Sequence, residues 1–435
     1  MISPTELLQN LIRFDTTNPP GNELACCKYI STILQETGIE STLLAPNTNK
    51  GNLIARITGE GAAPPFLMYG HLDVVTTAGQ QWRQPPFEGK LINNEIWGRG
   101  ALDMKGGVAM MLASFLRVKE EGYTPPGDII FCALADEETE GECGVNYLVD
   151  NHAEYFKGVR YAIGEFGGFT LYIGGKRFYP IQVSEKQICR LKATFRGPGG
   201  HGSLQHSSGA MAKLGRFLQA LDRKQLPVHV TPVPKLMFSS IASHLRFPSN
   251  ILLSQIVKPG LTDAILKILG PTGEQFDPLL HNTVNATIVQ GGEKFNVIPG
   301  EITLELDARL LPGFSPKDIM QEIHDIAGND AELEVINLFP SVPAEPDMGM
   351  YDLLSSVIKE ADQEAITVPF LLPAATDASV FSKLGIQTYG FTPMKLPENM
   401  NFWKLIHAAD ERIPVEALEF GTEAVYSLLK RLGSG

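Results

Sequence analysis

The chain has 435 residues, 43% of them hydrophobic and 20% charged, and a formal net charge of -13. These proportions are typical of an ordered globular protein, and the length favours two domains. The negative charge argues against nucleic acid or an anionic membrane as a partner, because binding phosphates requires a basic surface. Five scattered cysteines and the lack of a leader or a long apolar run predict a soluble, cytoplasmic protein with reduced thiols.

The first third of the chain alternates between helix and strand patterns. Helices are predicted at 5–14, 22–38 and 105–121, and strands at 41–44, 52–58, 65–69, 128–135 and 159–163. Such alternation predicts an α/β fold with a mostly parallel sheet flanked by helices.

The pattern changes near residue 181. Strands are predicted at 187–196, 286–290, 302–309 and 331–338, with helices at 208–221 and 316–326. This favours an inserted α+β unit, in which the strand at 187–196 is expected to offer an edge for pairing across a two-fold axis. Residues 226–280 are irregular, and only two short helices are expected there. The α/β pattern then resumes, so the predicted domains are 1–182 with 341–435, and 183–340.

Acidic and histidine side chains recur just after predicted strands. His71 lies in a Gly-His-Leu-Asp motif, Asp103 lies in a Gly-rich segment at 98–107, Glu138 ends an Asp-Glu-Glu run, and Glu165 follows a glycine. Open α/β sheets bind ligands at the carboxyl ends of their strands, so these side chains are expected to converge there.

These residues predict a pair of zinc ions. Asp103 is expected to bridge the two ions, with His71 and Glu165 on one ion and Glu138 and His407 on the other. Three carboxylates and one hydroxide would balance the charge of two Zn²⁺. Each residue alone has a simpler explanation, such as a core histidine or a solvated acidic loop. Their order within one α/β pattern favours the metal site.

The chain resembles the aminoacylase/carboxypeptidase/desuccinylase family of dinuclear zinc metallopeptidases and amidohydrolases. The motifs that carry the resemblance occur in this order: 11–21, GHLDVV at 70–75, GRGALDMKGG at 98–107, Glu137-Glu138, Gly164-Glu165 and His407. The resemblance implies a zinc exopeptidase-like catalytic domain with an inserted lid/dimerisation domain. It also implies two Zn²⁺, with Co²⁺ or Mn²⁺ as substitutes, and a cis bond between Asp103 and Met104.

The resemblance further implies roles for residues beside the metals. Asp73 would orient His71 through its free ring nitrogen, and Glu137 would be the general base. His201, in a Gly-rich segment at 197–203, matches a lid histidine that stabilises the oxyanion, in dimeric members from the neighbouring subunit. A loop histidine without a role is the alternative for His201.

Substrate contacts are also implied by the resemblance. Asn296 and Arg309 would hold a substrate carboxylate, although Arg309 could instead be a salt-bridged strand residue. Ser379 stands where several relatives have arginine, which weakens a second carboxylate contact. Glu165 stands where the ureide-hydrolysing branch tends to have histidine, which argues against that branch.

Three functions follow from this interpretation. The first is hydrolysis of an amide bond in a small peptide or N-acyl amino acid, by metal-activated water with Glu137 as base, in a metallo-exopeptidase or N-acyl-amino-acid deacylase that forms a homodimer through the lid domain. The second is a succinyl-diaminopimelate-type desuccinylase, which Ser379 weakens. The third is a catalytically idle binding or dimerisation protein, which would be expected to have lost a ligand or the base; neither is missing.

Overall fold

The computed structural model describes residues 2–204 and 207–433, so His206, expected at the surface, lies outside the described residues. The chain divides into two compact units. Unit 1 comprises Met1–Val183, Pro346–Phe370 and Thr376–Gly435, and unit 2 comprises Ser184–Glu345 and Leu371–Ala375. Relative to the predicted boundaries, the return to unit 1 comes five residues later, and a short stretch after residue 370 belongs to unit 2.

The elements are numbered in chain order. The helices are α1 (Pro4–Ile12), α2 (Glu23–Glu36), α3 (Lys105–Glu120), α4 (Val145–Asn151), α5 (Ala210–Arg223), α6 (Pro232–His244), α7 (Ser249–Gln255), α8 (Pro259–Leu269), α9 (Pro271–Phe276), α10 (Pro316–Ala327), α11 (Tyr351–Ala361), α12 (Ala378–Phe381), α13 (Phe402–Leu405) and α14 (Val415–Arg431). The strands are β1 (Ser41–Leu44), β2 (Asn52–Ile57), β3 (Phe66–His71), β4 (Lys90–Ile92), β5 (Glu95–Trp97), β6 (Ile129–Leu134), β7 (Tyr161–Gly164), β8 (Leu171–Ile173), β9 (Lys176–Glu185), β10 (Gln187–Arg196), β11 (Gly200–His201), β12 (Thr283–Gln290), β13 (Val297–Ile298), β14 (Glu301–Leu310), β15 (Glu332–Leu338), β16 (Ile366–Leu372), β17 (Gln387–Gly390) and β18 (Arg412–Pro414).

Unit 1 is built on a nine-stranded sheet with the order β1-β2-β6-β3-β7-β17-β9-β16, and β8 pairs with β9. The four central strands, β6, β3, β7 and β17, are parallel. Strands β1, β2 and β9 run antiparallel to their neighbours. The predicted α/β fold with a mostly parallel sheet is confirmed, and its parallel part is the centre of the sheet.

Helices cover both faces of this sheet. Tyr69 of β3 packs in one core cluster with Leu148 of α4. Its neighbour Gly70 faces the other way, because a Cβ atom there would lie 2.9 Å from a side-chain carbon of Val108 in α3. Strands β3 and β6 are buried along their whole length, which explains why their sequences are continuous apolar runs.

Unit 2 contains a four-stranded antiparallel sheet with the order β12-β14-β10-β15. Helices α5 and α10 pack their apolar residues against one face of it, in a single core cluster. Because β10 pairs with β14 on one side and β15 on the other, the prediction that this strand offers an edge is wrong. Apolar and polar residues alternate in an interior strand with one buried face just as they do in an edge strand. The alternation alone therefore does not distinguish an interior strand from an edge strand. The edges are β12 and β15.

Residues 226–280 contain more helix than expected. Four α-helices, α6 to α9, lie there in place of the two predicted. Three prolines of this segment, Pro232, Pro259 and Pro271, each occupy the first turn of a helix. Over residues 2–204 and 207–433, no helix combines the length and apolar character needed to cross a bilayer.

Candidate metal centre

The strand ends of unit 1 bring the predicted ligands to one edge of the sheet. His71 is the last residue of β3, Glu137 and Glu138 follow β6, and Glu165 follows β7. These strands are parallel neighbours in the order β6-β3-β7, so their carboxyl ends lie side by side. Acidic residues that are far apart in the sequence therefore lie close together in space.

Asp103 lies between two histidines. Its Oδ1 atom is 3.2 Å from Nε2 of His71, and its Oδ2 atom is 3.1 Å from Nε2 of His407. Asp103 is placed by the turn before α3, which contains the expected cis bond to Met104, and His407 by the loop between α13 and β18. A carboxylate whose two oxygens face different ligands has the geometry of a bridge between two cations.

The glutamates divide between the same two histidines. Oε2 of Glu165 is 3.4 Å from Nε2 of His71, and Oε2 of Glu138 is 3.3 Å from Nε2 of His407. Glu137 is on the His71 side, with Oε2 at 4.0 Å from Nε2 of that residue. The ligand atoms of His71, Glu137 and Glu165 lie within 4.8 Å of one another. The adjacent Glu137 and Glu138 thus approach different histidines.

The electrostatics of the cluster favour cations. Burial and the charge of Glu165 hold the pKa of Glu137 well above its usual range, and burial together with Asp103 raises the pKa of Glu138 to about 7. Among the described residues, the buried atoms Oε1 of Glu138 and Oε2 of Glu165 have no hydrogen-bond partner. Buried carboxylate oxygens beside imidazole nitrogens are a donor set that suits zinc, so the residues fit the implied metals.

Asp73 contacts His71 differently from the expectation. The backbone carbonyl of Asp73 lies 2.9 Å from Nδ1 of His71, whereas the nearer carboxylate oxygen is 3.5 Å away. The carboxylate instead accepts hydrogen bonds from the backbone N–H groups of Glu137, at 3.1 Å, and Glu138, at 2.9 Å. The main chain of Asp73 therefore orients the imidazole, while its side chain fixes the segment that carries both glutamates.

A further contact supports Asp73 and was not predicted. The Asn18 amide nitrogen donates to Oδ2 of Asp73 at 2.8 Å and to Oδ1 of Asp136 at 2.9 Å. Nζ of Lys50 donates to the Asn18 amide oxygen at 3.0 Å and forms an ion pair with Asp136. Asn18 belongs to the opening motif at 11–21, which was the available sequence signal, although nothing in that motif indicated what the asparagine would contact.

The remaining predicted residues lie in unit 2. His201 is exposed in β11, with Nδ1 2.7 Å from the hydroxyl of Ser203. Asn296 is close to His201 in the fold, because the Asn296 backbone carbonyl accepts a hydrogen bond from the backbone N–H of Gly202 at 2.8 Å. Arg309 forms two hydrogen bonds to the carboxylate of Asp307, at 2.7 and 2.8 Å. That pairing corresponds to the salt-bridged alternative for Arg309.

The model of Peptidase family M20/M25/M40 matches residues 67–431, which is most of the chain and includes every proposed metal ligand. The chain belongs to this family. Membership confirms the predicted resemblance and the expectation of an enzyme of the metallopeptidase and amidohydrolase class.

Individual relatives of this M20 family chain carry different names. It is 27% identical to the human N-fatty-acyl-amino acid synthase/hydrolase PM20D1, over 86% of this chain and 76% of that protein. It is 26% identical to a probable succinyl-diaminopimelate desuccinylase of Staphylococcus aureus, over 86% of each chain. The crystal structure of the M20 family metallo-carboxypeptidase Sso-CP2 from Sulfolobus solfataricus covers 99% of both chains with a TM-score of 0.71 and 16% identity, and so shows the shared fold.

Glu411 is a second residue of this M20 chain that the sequence did not single out. Its buried carboxylate accepts hydrogen bonds from the backbone N–H groups of Leu102, at 2.7 Å, and Asp103, at 3.1 Å. Its other oxygen accepts from Gly100 and from the buried guanidinium of Arg99, at 2.7 Å. One carboxylate therefore holds the whole turn that presents Asp103.

Replacing Glu411 by glutamine is expected to lower both stability and metal retention. The amide can no longer neutralise the buried Arg99, and breaking a buried pair in this way costs roughly 3 to 5 kcal/mol. Losing a hydrogen bond that supports a metal ligand typically weakens metal affinity about 10- to 100-fold. Thermal unfolding and metal analysis after dialysis measure the two effects.

The matched control is Glu95→Gln. Glu95 pairs with Arg412 at 3.0 Å, but both side chains are partly exposed, so a change of about 1 kcal/mol or less is expected. If Glu411→Gln behaved like this control in both measurements, Glu411 would not hold the Asp103 turn.

Proposed function

We propose that this chain is a two-metal hydrolase that cleaves an amide bond in a small peptide or N-acyl amino acid carrying a free carboxylate. The observation that carries the proposal is Asp103, whose two oxygens face His71 at 3.2 Å and His407 at 3.1 Å. A carboxylate between two imidazoles, flanked by Glu138 and Glu165, is suited to two zinc ions, with cobalt or manganese as substitutes.

Glu137, Asp73 and His201 then have separate roles in the reaction. The bound metals would polarise the scissile carbonyl and lower the pKa of the attacking water. Glu137 accepts the proton of this water and passes it to the leaving amine. The Asp73 carboxylate keeps Glu137 in position by accepting a hydrogen bond from the backbone N–H group of Glu137. His201 donates a hydrogen bond to the developing oxyanion.

We further propose that the chain acts as a homodimer through unit 2. Strand β12 supports this, because it is an edge of the sheet, eight residues long, largely exposed and without a charged side chain. Uncharged edges of this kind readily pair with another strand, and a two-fold axis would place β12 against its own copy. This edge takes the place of β10 in the original expectation.

Desuccinylation of a diacid is the second candidate function. A second carboxylate needs an additional positive group, and position 379 does not supply it: Ser379 is buried and its hydroxyl donates to the Thr376 carbonyl at 3.0 Å. A screen of dipeptides, N-acyl amino acids and succinyl-diaminopimelate separates the candidates. Turnover of none of them by a metal-loaded sample would favour an idle binding protein.

The metal content of the protein tests the proposal directly. A purified sample is expected to contain close to two zinc ions per chain, because three carboxylates converge on two histidines. A chelator is expected to abolish amide hydrolysis, and added zinc, cobalt or manganese to restore it. Elemental analysis and activity assays on the same sample test this, and a folded, active, metal-free sample would contradict it.

A second prediction concerns Arg309. If it binds the substrate carboxylate, Arg309→Ala is expected to lower kcat/KM about 10- to 100-fold for free acids, and to affect the corresponding amides much less, because a charged bidentate contact contributes about 1.5 to 3 kcal/mol. The control is Asp307→Asn, which removes its partner at 2.7 Å and keeps the guanidinium. Equal effects on acids and amides in both variants would mean that Arg309 serves only its ion pair with Asp307.

A further inference from the structure

The two histidines of the candidate metal centre are held in different ways. His71 ends β3, is buried, and has its Nδ1 atom 2.9 Å from the backbone carbonyl of Asp73. His407 lies in the loop between α13 and β18, and its side chain is 51% exposed. Its φ angle is 59°, in the left-handed region that residues other than glycine seldom adopt. Because no strand or helix carries His407, contacts from other segments must hold it in position.

One such contact comes from Gln80. The amide nitrogen Nε2 of Gln80 donates a hydrogen bond to the backbone carbonyl of His407 at 2.8 Å, across 327 residues of sequence. The same two segments meet again three residues later, where the Asp410 carboxylate accepts from the backbone N–H of Arg83 at 2.8 Å and from its Nε atom at 2.7 Å. The Arg83 side chain is largely exposed, whereas Gln80 is partly buried. Of the two contacts, the one from Gln80 is made with the proposed ligand itself.

The orientation of the Gln80 amide is fixed by its other partners. Its oxygen Oε1 accepts hydrogen bonds from Nη2 of Arg99 at 2.8 Å and from Nε1 of Trp82 at 3.1 Å. Guanidinium and indole N–H groups only donate, so the amide oxygen faces them and the amide nitrogen faces the His407 carbonyl. Arg99 is buried, and its guanidinium lies over the Trp82 ring, 5.1 Å from the ring centroid. The side chain of Gln80 is therefore preorganised as a donor to His407.

The same guanidinium also contacts the residue that supports Asp103. Nη1 of Arg99 donates to Oε2 of Glu411, whose carboxylate holds the turn before α3. Gln80 and Glu411 thus share one buried cation. Nε2 of His407 and Oδ2 of Asp103 lie 3.1 Å apart, so these two side chains would bind the same metal ion. The segments that carry them are joined by one chain of hydrogen bonds through Arg99.

We propose that Gln80 is a positioning residue for the metal ion on the His407 side, and that it raises the affinity for this ion through its hydrogen bond to the His407 carbonyl. The inference rests on the proposed two-metal function. A hydrogen bond that supports a metal ligand typically changes metal affinity about 10- to 100-fold. The ion on the His71 side is expected to be independent of Gln80, because His71 is held by β3 and by the carbonyl of Asp73.

The test is calorimetric titration of zinc into the metal-depleted chain, for which two bound ions are expected. Gln80→Met removes all three hydrogen bonds of the amide. Gln80→Glu keeps an acceptor for Arg99 and Trp82 but places a carboxylate oxygen opposite the His407 carbonyl. Both variants are expected to bind one ion as the unaltered chain does and the other about 10- to 100-fold more weakly. In a chain that already carries His407→Ala, neither substitution should change the affinity for the remaining ion.

Thermal unfolding of the metal-depleted proteins separates this role from a purely structural one. Gln80→Glu is expected to unfold at about the temperature of the unaltered chain, since its carboxylate can still accept from Arg99. Gln81→Met, at the exposed neighbouring glutamine, is the matched control and is expected to bind both ions normally.

Three outcomes would overturn the inference. In the first, Gln80→Glu binds both ions with unaltered affinity, which leaves the two-metal proposal intact. In the second, both ions are weakened equally, or the weakening comes with a large fall in the unfolding temperature of the metal-depleted protein, so that Gln80 is structural. In the third, the unaltered chain binds no zinc, and the proposed function fails as well.

Discussion

Replacing Glu137 by alanine is expected to reduce kcat by about three orders of magnitude while both metals stay bound. General base catalysis typically contributes 10²- to 10⁴-fold, and Glu137 is proposed to move the proton of the attacking water. Glu138→Ala is expected to lose metal instead, because Oε2 of Glu138 approaches His407 at 3.3 Å, on the far side of Asp103. Metal content and single-turnover rates of the two variants separate the roles.

The geometry makes this test discriminating. Glu137 lies within 4.8 Å of the ligand atoms of His71 and Glu165, so its position would also suit a ligand. If Glu137→Ala lost one metal and Glu138→Ala kept both, the roles would be exchanged. Glu142→Ala is the control, because Glu142 is an exposed carboxylate on the same loop and no change in metal content or rate is expected from it.

Co-expression of Glu137→Ala and His201→Ala chains is expected to recover about a quarter of the activity of the unaltered protein. If His201 serves the neighbouring subunit, a mixed dimer has one site with both defects and one site with neither. Random pairing makes half of the dimers mixed, so about a quarter of all sites are intact. Each parent alone should show the low activity of its own defect.

Activity recovers only if His201 of one subunit completes the site of the other subunit. Purified parents mixed without co-expression provide a control in which no dimers reassort. Co-expression of Glu137→Ala with the unaltered chain should give about half of full activity, whichever subunit supplies the histidine. If the doubly variant mixture stays as inactive as its parents, His201 either serves its own chain or has no catalytic task.

The cluster of acidic and histidine side chains was predictable because most of its residues follow strands. Apolar runs that end in His71, Glu138 and Glu165 show both where the strands stop and which side chains come next. His407 follows no such run, so the strand pattern did not indicate it. The loop that carries His407 is more than 300 residues along the chain from His71. Tertiary packing brings this loop to the site, where Nε2 of His407 lies 3.1 Å from Oδ2 of Asp103.

The supporting contacts were not predictable in the same way. Asn18 donates to the buried carboxylates of Asp73 and Asp136, and Glu411 accepts from backbone N–H groups of the turn before α3. These partners are far away in the sequence, and no periodicity records them. The assignment of β10 as an edge failed because alternation reports one buried face and does not report how many neighbours a strand has. In residues 226–280 the periodicity indicated only two of the four helices, because these helices are short and three of them begin at a proline.

The chain order of unit 1 has a consequence for synthesis on the ribosome. Residues 346–370 and 376–435 belong to this unit, and they include β17, His407 and Glu411. Nearly all of unit 2 is therefore translated before the parallel sheet of unit 1 receives its fourth central strand. His71, Asp103 and Glu138 are translated at least 269 residues before His407, the last of the proposed ligands. A partly made chain thus presents an acidic cluster that lacks its second histidine, and the proposed two-metal site can be completed only after residue 407 has been made.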